Sequence, residues 1–319
     1  MTATDGARWR NAFGTMCHLV VTLSCLVQSA IADDLPFHVR KLAQDTYVHH
    51  GRQETATAAN YGDIVNIGFI IGDRCVAVID SGGSLRVGEA LYHAIRRLTA
   101  KPVCYVINTH MHPDHVFGNA AFLPEQPVFV GHIRLAGALA ARGQNYTHAL
   151  QRDLGAAADG SEIIVPTLEV ADRLELDLGG RVLELRAWPP AHTDSDLTVF
   201  DRKTGTLWLA DLLFIDHLPA LDGSLIGWLR AIDALAAERP KRIVAGHGES
   251  PNWRQALARE QHYLRTLRDE TRAALRAGQT LTQAVEHVGV GERDDWLLFD
   301  DFHRRNVTAA YAELEWEED

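Results

Sequence analysis

The chain has 319 residues, 46% hydrophobic and 23% charged, an ordinary globular composition with length for one large domain or two modest ones. Its formal net charge is −11 and no Lys/Arg-rich run occurs. Without a basic face to neutralise phosphates, nucleic acid is excluded as a partner.

The N-terminus reads as an export signal. Arg8 and Arg10 form a positive start, the apolar run LVVTLSCLV follows from Leu19 to Val27, and Ala30 and Ala32 make an A-x-A cleavage site before Asp33. The run is about half of the roughly 20 residues that span a bilayer. Residues 1–32 are therefore expected to be a signal peptide, leaving a periplasmic protein with no stable membrane span; an N-terminal core helix is the rival reading. Cys75 and Cys104 remain after cleavage. They could pair in an oxidising compartment or pack as small buried thiols, and the thiol reading is preferred.

No repeat, low-complexity tract or linker divides residues 33–319. Short β-branched runs bounded by Gly or Asp, TYVHHG, IVNIGFIIG and CVAVID, predict strands. Ser84 is the expected N-cap of a helix in which Leu85, Val87, Leu91, Ala94, Ile95 and Leu98 recur near a helical period. The strand VCYVIN then runs into NTHMHPDHVFGN (108–119), followed by a strand VFV and a helix over roughly 132–154. Five strand-like runs come in succession: TLEV, RLELDL, RVLELRAW, LTVF and TLWLAD. The helix SLIGWLRAIDALAAE, the strand RIVAG and long helices complete the chain. Strands and helices in two mixed halves predict an α/β fold with sheets inside and helices outside.

Residues 108–119 place His110, His112, Asp114 and His115 within six positions. Imidazole and carboxylate are what a zinc-type cation takes. On extended backbone His110 and His112 leave the same side, while Asp114 and His115 can turn to a second ion. Alone, such a loop could still be a solvated surface. Three further residues at predicted strand ends argue against that: His192 in WPPAHTDSD, Asp211 ending TLWLAD, and His247 in RIVAGHG. Gly246 and Gly248 let backbone approach a site closely, and side chains from separate strands converge at strand C-termini in α/β folds. Seven potential ligands suffice for two cations. His217, just after Asp211, is placed to line the cleft. His49 and His50 are read as a turn, and His93, His132, His262 and His287 as mostly solvent-facing on helices. Trp228 and Trp253 are read as core.

Together THMHPDH, AHTDSD, ADLLF, AGHG and the strand VAVIDSGG resemble the metallo-β-lactamase superfamily, over about residues 37–250. The resemblance implies a four-layer αβ/βα sandwich over 33–250, with the helices of 251–319 packed on the same domain. It implies His110, His112 and His192 on one metal, Asp114, His115 and His247 on a second, Asp211 bridging, and Asp80 supporting the ligand loop from behind. Antibiotic-destroying members do not bridge with an aspartate; Asp211 stands as in glyoxalase II-like hydrolases. PALDGSLIGWLRAIDAL (219–235) and FHRRNVTAAYAELEWE (302–317) are also similar to a periplasmic subgroup, the zinc metallohydrolases tied to quinoprotein dehydrogenase systems. The implied protein is an exported hydrolase holding two Zn²⁺, with iron as the alternative metal. A hydroxide shared by the two ions, oriented by Asp114, would cleave an ester, thioester, lactone or amide of a small-molecule substrate. Rival readings on the same scaffold are an iron-dependent persulfide dioxygenase-like oxidoreductase, a β-lactamase, and a non-enzymatic partner of a periplasmic dehydrogenase.

Overall fold

The apolar runs of the first half become seven strands. The structure is a computed structural model that describes residues 35–317; the signal read at 1–32 lies outside the described residues. In chain order come β1 (Arg40–Ala43), β2 (Thr46–His49), β3 (Ile67–Ile71), β4 (Val76–Ile79), α1 (Leu85–Leu98), β5 (Val103–Ile107), the single-turn α2 (Pro113–Val116), β6 (Val128–His132), α3 (Leu135–Leu154) and β7 (Leu168–Val170). They form one sheet in sequence order, antiparallel from β1 to β4 and parallel from β4 to β7. Ser84 caps α1, its hydroxyl accepting from the Val87 amide, as the sequence predicts.

The second half contains β8 (Arg173–Asp177), β9 (Val182–Ala187), β10 (Leu197–Asp201), β11 (Thr206–Phe214), α4 (Leu225–Ala237), β12 (Arg242–His247), α5 (Trp253–Arg276), α6 (Leu281–His287) and α7 (Phe299–Leu314). Its sheet runs β12-β11-β10-β9-β8, antiparallel except for β11 with β12. Parallel neighbours need a crossover, and helices supply it: α1 between β4 and β5, α3 between β6 and β7, α4 between β11 and β12.

The core explains the layering. Ile70, Ala77, Ile79, Ile107 and Val130 of the first sheet meet Leu183, Leu185, Leu197, Val199 and Val244 of the second. The first sheet's other face packs Phe69, Val76, Val78 and Val106 on Val87, Leu91 and Ile95 of α1. Leu209 and Leu213 of β11 pack on Trp228 and Ile232 of α4, Leu264 and Leu267 of α5 and Val307 of α7. Helix, sheet, sheet and helix therefore stack in four layers. Among the described residues, no helix is long and apolar enough to cross a membrane.

Several local expectations change. β11 does not stop at Asp211 but continues to Phe214, every residue buried. Its register against β12 shifts on both sides of Ala210, whose φ is 46°; this irregularity carries the strand past the acid. His132 closes β6 opposite Val170 and is buried rather than helical, because strand pairing with β7 continues through it. His49 is likewise a strand residue, buried with Nε2 2.7 Å from Asp63. Cys75 and Cys104, expected as free thiols, are joined in a disulfide with Cα atoms 5.8 Å apart. The parallel pairing of β4 with β5 brings the two together.

One buried ion pair ties the two sheets. Arg181 is fully buried and binds the Asp201 carboxylate at 3.2 and 2.5 Å. It also donates to Thr46 Oγ1 at 2.7 Å and to the Ile71 carbonyl at 3.1 Å, both on the first sheet. Arg181→Ala should strand Asp201 in the interior and cost about 3–5 kcal/mol in chemical denaturation. A loss under about 1 kcal/mol would show that water or a rearranged partner satisfies the acid.

Candidate metal centre

β5 ends at Ile107 and the chain turns sharply through α2. Asp80, at the end of β4 with φ 54°, supports that turn by accepting from the Thr109 amide at 2.8 Å and its hydroxyl at 2.7 Å. Pro113 occupies the first position of α2, where no amide hydrogen is needed, and the same turn carries Asp114 and His115. His192 sits in the turn between β9 and β10, Asp211 within β11, and His247 at the end of β12. Gly246 is required there, since a Cβ would lie 1.8 Å from Asp211 Oδ1. Asn66 holds this turn, donating to the carbonyls of Gly246, Ala245 and Gly248 at 2.7, 2.9 and 2.6 Å.

The seven residues fall into two groups whose ligand atoms lie within 4.8 Å of one another, His110–His112–His192–Asp211 and Asp114–His115–His247. His112 Nδ1 is 3.1 Å from His110 Nε2 and 3.0 Å from His192 Nε2. Asp211 touches both groups. Its Oδ2 is 3.3 Å from His192 Nε2 and 3.4 Å from His247 Nε2, and its Oδ1 is 3.2 Å from His115 Nε2. Asp114 Oδ2 lies 3.4 Å from His247 Nε2.

Each imidazole commits its other nitrogen to an outward partner. His192 Nδ1 donates to the Ala220 carbonyl at 2.6 Å and His247 Nδ1 to the Ile64 carbonyl at 2.9 Å; a carbonyl can only accept. His115 Nδ1 lies 2.9 Å from Asp80, and His112 Nε2 lies 3.1 Å from Asp222, whose carboxylate also accepts from Arg142 at 2.6 Å. His110 Nδ1 is 3.1 Å from Thr109 Oγ1, whose own hydrogen goes to Asp80, so the histidine is the donor. In the neutral rings all five inward nitrogens are therefore lone pairs, converging on two carboxylates. His115 Nε2 and Asp211 Oδ1 are buried and face each other at 3.2 Å, with no other hydrogen-bond partner. Lone pairs and carboxylate oxygens aimed at common points repel unless a cation sits among them, so the donor set fits divalent metal.

Burial and the neighbouring carboxylates act on the histidines in opposite directions. Burial pulls the His247 pKa down, but the Asp211 and Asp114 carboxylates outweigh it and lift it to about 9. Burial and the neighbouring His112 lower His192 to about 3, against the pull of Asp211. His217 lines the same cleft, its ring 4.5 Å from His247 and stacked on Phe302. Burial and His247 lower it to about 3. Trp228 is fully buried with its ring 5.1 Å from His192, a packing support for that ligand.

Sequence reasoning missed Asp222, Arg142 and Asn66. Asp222 lies 110 residues from His112 in an ordinary loop, and nothing local marks any of the three.

Residues 60–247 match the family model of the metallo-beta-lactamase superfamily, and the chain belongs to that superfamily of metal-dependent hydrolases. It is 23% identical over 250 residues to a linear primary-alkylsulfatase from Pseudomonas sp. (strain ATCC 19151), covering 66% of this chain and 47% of that protein. The chain thus spans about half the length of the curated relative it matches. Among solved structures, a metallo-beta-lactamase from Pontibacter korlensis superposes with TM-score 0.58 at 20% identity, covering 72% of this chain and 99% of the other. The stereoselective inverting sec-alkylsulfatase Pisa1 from Pseudomonas sp. gives 0.67 at 16% identity, covering 88% and 51%. Both show the shared fold.

Metal uptake should be strongly pH-dependent. His247, at about 9 in the metal-free site, is protonated at neutral pH and must lose that proton to become a ligand. Against its burial, His115 is raised as well by the Asp211 and Asp80 carboxylates. Affinity for a divalent cation should therefore rise with pH by about tenfold per pH unit for each of these protons released, with the release visible by calorimetry in buffers of different ionisation enthalpy. A pH-independent affinity with no proton release would contradict this assignment.

Proposed function

We propose that this chain is an exported, two-metal hydrolase of small molecules that carry an ester, thioester, lactone or amide. The single observation that carries the reading is Asp211, a buried carboxylate within contact of both ligand groups, one oxygen facing His115 and the other His192 and His247. In this reading His110, His112 and His192 would hold one Zn²⁺ and Asp114, His115 and His247 the other, with Asp211 available to both. When bound, such a pair supplies Lewis acidity and lowers the pKa of a bound water from about 15.7 to about 7.

The chain's own residues do the rest. Asp211, in contact with His115, His192 and His247, would offset the charge of the two cations. Asp114 borders the open cleft with a side chain 16% exposed, whereas that of Asp211 is 3% exposed. Asp114 therefore orients the attacking water, takes its proton, and returns it to the leaving group as the scissile bond breaks. Asp80, Asp222 and the Ala220 and Ile64 carbonyls keep the histidine lone pairs turned inward.

The alkylsulfatase relative supports a second reading, hydrolysis of a sulfate ester. Export, a periplasmic location and a tie to a quinoprotein dehydrogenase system rest on the leader-like N-terminus and on the stretches at 219–235 and 302–317.

Protein purified without added metal should contain two zinc ions per chain and hydrolyse at least one member of a panel of esters, thioesters, lactones, amides and alkyl sulfates. Asp114→Asn should lower kcat/KM by about 10²–10⁴ on that substrate. One iron per chain with oxygen uptake would replace the hydrolase by an oxidoreductase. Full activity of Asp114→Asn would remove Asp114 from the chemistry.

A further inference from the structure

The cleft above the candidate ligands has a volume of about 320 Å³, within the size range of small-molecule sites. Outside the ligand groups, its charged lining residues are Glu54, Arg142, Asp153, Asp222 and Arg305. The first four are engaged. Glu54 accepts from Asn60 Nδ2 at 3.1 Å, Asp153 accepts from Arg152 at 2.7 and 2.8 Å, and Arg142 is bound to Asp222 at 2.6 Å. Arg305 is exposed, and its side chain makes no hydrogen bond, ion pair or ring contact among the described residues. In a chain of net charge −11, a cation held this way at the cleft is a localised positive field open to an anion.

The helix that carries it is pinned. Phe302, Arg305 and Asn306 fall on one face of α7 at spacings of three and four residues, and all three line the cleft. Phe302 stacks on His217 with ring centroids 5.5 Å apart, and the His217 ring lies 4.5 Å from that of His247. Asn306 accepts from the Leu221 amide at 2.9 Å and donates to the Pro219 carbonyl at 2.6 Å. Arg305 is one turn beyond Phe302, about 4.5 Å along the helix axis. Among the described residues no ion pair joins it to Asp114, Asp211 or Asp222. It is therefore placed to meet a part of the substrate that does not react.

We propose that Arg305 is a specificity-determining residue that binds a carboxylate carried by the substrate in addition to the group that reacts at the metal centre. The proposal rests on the hydrolytic reading above for the bond that breaks. A guanidinium presents paired N–H donors that match a carboxylate in two parallel hydrogen bonds. Glu54 and Asp153 line the same cleft, so a singly charged carboxylate meets less repulsion there than a doubly charged phosphate. A simple alkyl sulfate has its only charge on the reacting group and would leave Arg305 unused.

The experiment is calorimetric titration of zinc-loaded protein with glutarate, adipate and suberate, each against the monocarboxylate of equal length: pentanoate, hexanoate and octanoate. Both kinds of acid offer one carboxylate to the metal centre, so the comparison isolates the second. The dicarboxylate of best-fitting length should bind about fivefold tighter than its partner at low ionic strength, and the gain should shrink in about 0.5 M NaCl. Arg305→Gln should bring the ratio to about one and Arg305→Glu below one, with zinc content as in wild type. A ratio near one in the wild type at all three lengths overturns the proposal, and so does a preference that survives Arg305→Gln. The hydrolytic reading fails separately. If methyl hexanoate and methyl hydrogen adipate are both left intact while the Arg305-dependent preference holds, ester hydrolysis is removed and the carboxylate site stays. Hydrolysis of both esters at equal kcat/KM keeps the chemistry and overturns the site.

Discussion

Everything at the centre of this molecule depends on the hydrogen bonds that face away from it. A neutral imidazole has one donor and one acceptor nitrogen, and which is which is decided by the partner of the outer one. Here the outer partners are two backbone carbonyls, two carboxylates and a hydroxyl that is itself anchored to Asp80. They come from the end of β4, the loop before β3, the loop after β11 and the ligand turn itself. Supplying acceptors at all these places takes the whole sandwich, so the fold works as a tautomer-setting frame for five histidines.

That frame accepts local strain. Asp80 and Ala210 both have positive φ without being glycine, at φ 54° and 46°, a conformation that costs of order 1–3 kcal/mol. Both lie beside ligand residues, one behind His115 and one immediately before Asp211. Asp80 directly follows the last pair of the β3–β4 ladder, and Ala210 itself pairs with Ala245 of β12, so buried strands anchor both. The glycine at 246 serves the same end by leaving room for the Asp211 carboxylate.

How much of this the sequence reveals follows from its chemistry. Metal ligands must come from very few residue types, so the histidines and acids of 108–119, 192, 211 and 247 stand out against their surroundings. The acceptors behind them do not. A carbonyl such as that of Ala220 or Ile64 can belong to any residue, and Asp222 is one acid among many until the chain folds it against His112. Asp211 also misled the strand boundary, because an acid in an apolar run reads as the end of a strand. It is buried instead as one member of a ligand cluster, and the strand passes through it. His132 was hidden by a similar ambiguity, since a polar residue after VFV could open a helix or close a strand, and only pairing with Val170 decides. The bond between Cys75 and Cys104 depends on which strands become neighbours, which local sequence does not specify.

The C-terminal helices lie beyond residues 60–247, the stretch that matches the superfamily, yet they reach into the centre. Asn306 of α7 accepts from the Leu221 amide at 2.9 Å and donates to the Pro219 carbonyl at 2.6 Å. Glu313 accepts from Ser224 and from the Leu225 amide, each at 2.6 Å. Between these anchors lie Ala220 and Asp222, the outer partners of His192 and His112. A fragment cut where the family match ends would keep every candidate ligand side chain and lose the brace on two of them. The smallest autonomous version of this centre therefore includes α7, and the homologous stretch alone is a catalytic vocabulary without its grammar.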